Sequence, residues 1–174
     1  MNSILNLFYV LALQAAADMT GETEYLEKAR RVMRLIREKF FDREKGLYAI
    51  DPERRFFSEH SQVLAMLTGP DAQLAENLRL YDGKLTPCSI YFSFYYLQAC
   101  AKYGLHDLAD KRLERWKALK KEGLTTFPEE FGNPRSDCHA WSSHILCYLR
   151  TAIPGNRPDM KSAGREREKE ILRA

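Results

Sequence analysis

The feature that most constrains the fold is an alternation between two kinds of helical segment. Segments that are apolar nearly all round, such as 3–18 and 88–103, are each followed by a segment with one apolar and one charged face, such as 22–41 and 107–121. A helix that is apolar on most sides is normally buried, whereas a helix with a charged stripe covers it from outside. The alternation therefore predicts pairs of inner and outer helices.

Composition also favours helices over sheet. Leucine and alanine, with 22 and 17 copies, far outnumber valine and isoleucine, with 3 and 7. Side chains branched at Cβ lose rotamer freedom in a helix, so their scarcity is typical of an all-α protein. Seven helices are predicted, at 3–18, 22–41, 59–67, 71–80, 88–103, 107–121 and 138–153, with a short extended excursion at 46–50. Ser58 is the predicted N-cap of the third helix, and Thr86 with Pro87 the predicted start of the fifth.

The helices are predicted to form a segment of an α/α toroid. The chain has no self-similarity at the period of about 34 residues that marks tetratricopeptide repeats, which argues against a helical solenoid of that kind. Residues 1–155 are expected to form one partial barrel domain. Residues 156–174 change abruptly to alternating charges and are expected to form a polar helical or flexible tail.

Charge, cysteine usage and motifs exclude several functions. Lysine and arginine number 27 against 24 acidic residues, and the two signs are interleaved along the helices, so nucleic-acid binding is not expected. The four cysteines show no metal or redox spacing, and we expect reduced, buried thiols in a cytoplasmic protein. No Gly-rich phosphate loop or metal-ligand spacing is present, so neither a cofactor nor a metal is expected.

The apolar N-terminal run superficially resembles a signal peptide. It has no basic region before it, and Asn6 and Gln14 interrupt it, so we expect neither secretion nor a membrane anchor.

The residues with the clearest chemistry lie between the sixth and seventh predicted helices. Trp116, Glu129, His139 and Trp141 place a carboxylate, an imidazole and two indoles on a loop and at a helix start. Indole faces stack on the C–H surfaces of sugars, and carboxylates bind hydroxyls or activate water. These residue types therefore indicate a carbohydrate site.

The same stretch, W…GLTTFPEEF…SDCHAWSSH, resembles the C-terminal signature of the bacterial α-L-rhamnosidases of glycoside hydrolase family 78. The segments TGETEYLEKA, FSEHSQVLAML, TPCSIYFSFYYLQACAKYG and LADKRLERW are also similar to that family, so the resemblance covers roughly 2–154. It implies an (α/α)6 six-hairpin barrel. It also implies hydrolysis of terminal α-L-rhamnosyl groups with inversion, which needs one general acid and one general base.

The resemblance also implies roles for individual residues. Glu129 falls at the general-base position, although the neighbouring Glu130 makes the register ambiguous. His139 falls at a histidine that binds sugar hydroxyls. The two tryptophans, Trp141 and Trp116, are expected to contribute to substrate binding.

Two departures from the family pattern limit what the resemblance implies. Pro128 stands where the family usually has tryptophan, and no part of the chain matches the family's general-acid motif. Glu59 and Asp137, which lie near helix starts, are candidate second carboxylates, but Glu59 is equally explained as a favourable charge at a helix N-terminus. The chain is therefore expected to correspond to the second half of a barrel, with low or no activity alone.

An open barrel leaves apolar helix faces without partners, which predicts a homodimer through the seam. Other toroid sugar enzymes, such as epimerases or unsaturated glucuronyl hydrolases, also stay open, although they would not explain the T-T-x-x-E and C-H-x-W spacings together. Two functions of other classes stay open as well. One is a non-catalytic carbohydrate-binding module, and the other is a helical scaffold for protein interactions.

Overall fold

The computed structural model describes residues 2–152 of the chain, and the elements follow the predicted order. The helices are α1 (Ser3–Thr20), α2 (Thr23–Phe40), α3 (Glu59–Thr68), α4 (Ala72–Leu80), α5 (Ser93–Tyr103), α6 (His106–Lys121) and α7 (His144–Ala152). Two short strands, β1 (Phe41–Asp42) and β2 (Leu47–Tyr48), pair antiparallel between α2 and α3.

Contacts between helices follow the predicted alternation. The inner helices α1, α3, α5 and α7 pack successively, while α2, α4 and α6 each pack on the inner helix that precedes them in the chain. The core lies between these layers, and Leu7, Phe40, Tyr48, Leu64 and Tyr96 are among its largest fully buried side chains. The prediction of an all-α fold with inner and outer helices is confirmed.

Local signals explain where several helices begin and end. The Asn2 side chain accepts hydrogen bonds from two N–H groups in the first turn of α1. Gly21 then ends α1 in the left-handed conformation, with φ 77°, that glycine adopts at little cost. The Asp71 carboxylate caps α4 by accepting the Leu74 N–H at 2.9 Å. Such caps satisfy backbone groups that the helices themselves leave unpaired.

The hairpin β1–β2 is fixed to the core by one side chain of α3. The Gln62 amide accepts the Tyr48 N–H at 2.8 Å and donates to the Tyr48 carbonyl at 2.7 Å, completing the hydrogen bonds of a buried strand residue. Gly46 makes the turn, with φ 63°. The extended excursion predicted at 46–50 is thus a tight hairpin, with β2 at Leu47–Tyr48.

Two predicted helix starts are wrong because loop residues bond to distant elements. The fifth helix begins at Ser93 rather than at 88, since Thr86 pairs with Ser58 in a parallel bridge and the Cys88 N–H donates to Glu59. The last helix begins at His144 rather than at 138, after a 3-10 turn at Ala140–Ser143.

Two predictions about individual side chains also need correction. Ser58 occupies the N-cap position of α3, but its side chain makes no capping hydrogen bond. Cys88 and Cys100 are buried as expected, whereas Cys138 and Cys147 are exposed. The predicted domain limit at 155 and the tail at 156–174 lie outside the described residues.

α1 has the length and composition of a membrane-crossing helix, and within 2–152 no other helix does. Core helices of soluble proteins and signal sequences share these properties. In the same part of the chain, no three His, Cys, Asp or Glu residues are grouped so that they could hold a metal ion.

Candidate functional site

The loop between α6 and α7, residues 122–143, folds back on itself and brings the predicted site residues together. The Glu129 N–H donates to the Ser136 carbonyl at 2.9 Å, and the His139 N–H donates to the Phe127 carbonyl at 2.7 Å. The Thr126 hydroxyl bonds to a carbonyl of the same return segment. Glu129 and His139, ten positions apart, are thereby held on two adjoining stretches of one loop.

Trp116 supports this loop from beneath. Its indole N–H donates to the Ser142 carbonyl at 3.1 Å, and the Ser142 hydroxyl donates to the Pro128 carbonyl at 2.6 Å. The ring also packs edge-on against Phe131 and His144. Only 8% of Trp116 is exposed, so its faces are covered. The structure places it as a positioning residue under the loop rather than as the sugar-contacting residue expected from the sequence.

Glu129 is held by an ion pair that the sequence did not indicate. Arg135 donates from Nη2 to Oε1 at 2.5 Å and from Nε to Oε2 at 3.2 Å, a bidentate arrangement. These hydrogen bonds lower the pKa of the Glu129 carboxyl from its ordinary value, and the charge of Arg135 acts in the same direction. A lowered pKa keeps Glu129 ionised near neutral pH, as a general base must be, while the guanidinium occupies both oxygens.

Glu130 differs from its neighbour in its surroundings. It is exposed, and Arg135 pairs with Glu129 instead. The Glu129 side chain is only 18% exposed. The two carboxylates, either of which could stand at the general-base position by sequence alone, therefore differ in burial and in their ion pair.

An exposed aromatic surface adjoins His139. The Trp141 indole is 45% exposed, and it contacts the His139 ring at 4.3 Å and the Tyr91 ring at 6.0 Å between centroids. The Nδ1 atom of His139 is buried and has no hydrogen-bond partner among the described residues. The exposed indole and phenol rings beside this imidazole can stack on a sugar face, whereas the buried Nδ1 atom has no surface that a ligand hydroxyl could reach.

Tyr91 was not among the residues predicted for the site. It lies in the loop before α5, in a stretch whose apolar pattern predicts an inner helix. The only signal available was the density of aromatic residues there, which indicates a buried helix equally well.

Glu59 lies in the core rather than at this loop. Its Oε2 accepts the Arg112 Nη2–H at 2.6 Å and the Cys88 N–H at 2.8 Å. The guanidinium of Arg112 also lies over the Tyr96 ring, 4.0 Å from its centroid. Glu59 therefore links the start of α3 to α6, which accounts for its position without a catalytic role.

Comparisons with known proteins agree with the sequence resemblance. No protein-family model and no curated protein matches the chain. Among solved structures, a rhamnosidase from Klebsiella oxytoca with rhamnose bound superposes with a TM-score of 0.75 at 21% identity, over 86% of this chain and 34% of that one. A family 78 rhamnosidase from Bacillus sp. GL1 gives a TM-score of 0.75 at 26% identity, over 88% of this chain and 19% of that one.

The chain thus spans about a third and about a fifth of the length of these two proteins. Both matches cover more than four fifths of this chain, so the similarity extends well beyond one helical hairpin. The chain therefore has the fold of part of a glycoside hydrolase family 78 rhamnosidase, the family that its loop motifs resemble.

Proposed function

We propose that this chain carries the general-base half of an inverting α-L-rhamnosidase site and that it hydrolyses terminal α-L-rhamnosyl groups weakly or not at all on its own. The observation that carries the proposal is the α6–α7 loop, in which Glu129 and His139 lie on hydrogen-bonded segments beside the open Trp141 ring. The helical fold shared with rhamnosidases, one of them with rhamnose bound, supports the choice of sugar.

Each group would have one task in such a reaction. Glu129 takes a proton from a water molecule that attacks the anomeric carbon on the face opposite the leaving group. His139 bonds to a sugar hydroxyl through Nε2, since Nδ1 is buried, and Trp141 stacks on the sugar ring. Arg135 has to release part of its hold on Glu129, because a general base needs a lone pair directed at the water.

The general acid is the missing part of this mechanism. Inversion requires a second carboxyl group about 6.5 to 9.5 Å from the base, which protonates the leaving oxygen. Glu59 is already paired to Arg112 in the core and is a poor candidate. We propose that a part of the barrel outside residues 2–152 supplies this acid, which is why low activity is expected of these residues by themselves.

The test is release of nitrophenol from an aryl α-L-rhamnoside, with calorimetric titration of L-rhamnose on the same protein. Where the parent chain releases nitrophenol, Glu129→Gln should lower turnover by about 100-fold or more, the usual contribution of a general base. Glu130→Gln is the matched control, because it makes the same chemical change one residue away at an exposed carboxylate, and it should retain turnover. Equal losses in the two variants, or neither turnover nor rhamnose binding in the parent chain, would refute the proposal.

A second candidate, a non-catalytic carbohydrate-binding module, is favoured by the bidentate ion pair. A carboxylate with both oxygens held by Arg135 is suited to accepting sugar hydroxyls at its remaining lone pairs rather than to activating water. This candidate predicts rhamnose binding without turnover. Binding should then be lost in Trp141→Ala and retained in Glu130→Gln.

We also propose that two copies of the chain associate through exposed apolar residues of α1. Leu5 is 70% and Met19 is 86% exposed, and Tyr9 lies between them on the same side of the helix. Contiguous apolar surface of this kind favours association. Light scattering at micromolar concentration should give a dimer mass that Leu5→Glu reduces to the monomer mass. A monomeric parent chain would contradict this proposal. The exposed apolar residues of α1 would then fit a helical scaffold that binds a different protein.

A further inference from the structure

Several arginines lie close together on the outward face of α2 and in the turns beside it. A cavity of about 430 Å³ is lined by Arg30, Arg34 and Arg37 together with the turn at 68–71. A second cavity of about 670 Å³ is lined by Arg34, Arg37, Arg43 and Arg54. Because the two cavities share Arg34 and Arg37, they adjoin. We call this surface the arginine groove and define it by these five arginines.

The helical repeat explains why three of the five line up. Arg30, Arg34 and Arg37 stand at positions i, i+4 and i+7 of α2 and so share one face. At a rise of about 1.5 Å per residue, the first and last of them are about 10 Å apart along the axis. A single small molecule can therefore reach all three side chains.

The positive charge of the groove is poorly balanced. Its lining includes two carboxylates, those of Glu38 and Asp71, against five guanidinium groups. Asp71 lies 4.0 Å from Arg37 at its nearest, and its other oxygen already caps α4. Like charges held this close repel one another, and a bound anion would remove that repulsion.

Several arginines elsewhere in the described chain have close carboxylate partners. Arg55, Arg79 and Arg135 each hold a carboxylate oxygen at 3.0 Å or less. Within residues 2–152, the ion pairs include none for Arg30, Arg34 or Arg43. The groove therefore gathers on one surface three arginines that the ion pairs of the described residues do not include.

Two of the groove arginines are also held in position. The Arg37 guanidinium lies over the Phe41 ring, 4.6 Å from its centroid, and donates to the Tyr48 hydroxyl at 3.5 Å. Arg54 donates to the Glu38 carbonyl at 2.9 Å. A guanidinium fixed in this way loses less conformational freedom when it binds a ligand.

We propose that the arginine groove binds a small ligand that carries two or more oxyanion groups. Guanidinium forks match phosphate and carboxylate oxygens in bidentate geometry. The cavity volumes fall in the range typical of small-molecule sites rather than of an extended polymer track. A phosphate ester and an acidic sugar both supply this chemistry. The site is independent of the proposed rhamnosidase function, because no residue of the α6–α7 loop lines it.

The experiment is calorimetric titration of the full chain with inorganic pyrophosphate and, separately, with trigalacturonate. Arg34→Gln, which alters the arginine between the two cavities, should weaken binding of the active probe about tenfold, equivalent to about 1.4 kcal/mol. Arg31→Gln is the matched control, since Arg31 is exposed on the same helix and lines neither cavity. It should change binding by less than about twofold. Circular dichroism of both variants checks that the helices are intact.

The results of these titrations either identify the class of ligand or overturn the proposal. Binding of pyrophosphate alone supports a phosphate ligand, and binding of trigalacturonate but not of neutral maltotriose supports an acidic sugar. Equal weakening by Arg34→Gln and Arg31→Gln would show diffuse attraction and overturn the proposal. No heat from either probe at millimolar concentration would also overturn it, as would duplex DNA binding more tightly than both probes.

Discussion

Replacing Glu59 with glutamine should destabilise the chain by about 3 to 5 kcal/mol, the usual cost of removing one partner from a buried ion pair. Glutamine has nearly the same shape and can still accept the Cys88 N–H, so the change mainly removes the negative charge. It leaves the Arg112 guanidinium, whose side chain is 6% exposed, buried without a carboxylate. For a chain of this size each kcal/mol lowers the Tm by about 2 to 4 °C, which predicts a fall of about 6 to 20 °C.

The assay is urea unfolding followed by circular dichroism, with Glu76→Gln as the control. That variant makes the same chemical change at an exposed ion pair on α4, with Arg79, and should cost about 0.5 kcal/mol or less. If Glu59→Gln costs as little as the control, the pair does not stabilise the core and the reasoning fails. Adding Arg112→Met to Glu59→Gln should recover part of the loss, because the unpaired buried charge is then removed.

Three further changes test the loop and the hairpin. Arg135→Gln should raise the pKa of Glu129 toward its ordinary value, so that the carboxylate protonates at higher pH as acid is added, measurable by NMR titration. Trp116→Phe removes the donor to Ser142 and should cost about 1 to 3 kcal/mol, with faster hydrogen exchange across the α6–α7 loop. Gly46→Ala should cost about 1 to 3 kcal/mol in thermal unfolding, because φ is 63° and the new methyl group meets a side-chain amide of α4.

The sequence predicted the helices well because the periodicity of apolar residues is a local property. The alternation of inner and outer helices followed from which segments carry a charged stripe, and the helical contacts confirm it. The start of α5 was mispredicted for a non-local reason. Thr86 and Cys88 look like the first turn of a helix, but their backbone groups bond to Ser58 and Glu59. No local pattern contains that information.

The location of the candidate site could be predicted from the sequence, but the side-chain contacts of its residues could not. The motif located the loop, and the structure brings Glu129 and His139 together on it. The ion pair with Arg135 spans six residues of irregular chain, where no helical or strand period relates one side chain to another. The role of Trp116 under the loop could not be predicted either. An amphipathic pattern shows that the indole faces inward, but it does not show which residues cover it.

One outer helix connects the core ion pair to the loop. Arg112 and Trp116 are four residues apart on α6 and therefore point from the same face, where Arg112 bonds to Glu59 and Trp116 bonds to Ser142. The charge pair thus links α6 to α3, while the Trp116 bond links α6 to the loop. The geometry around Glu129 consequently depends on α6 residues that touch no substrate. The loop motif alone therefore does not contain all the residues that position the site.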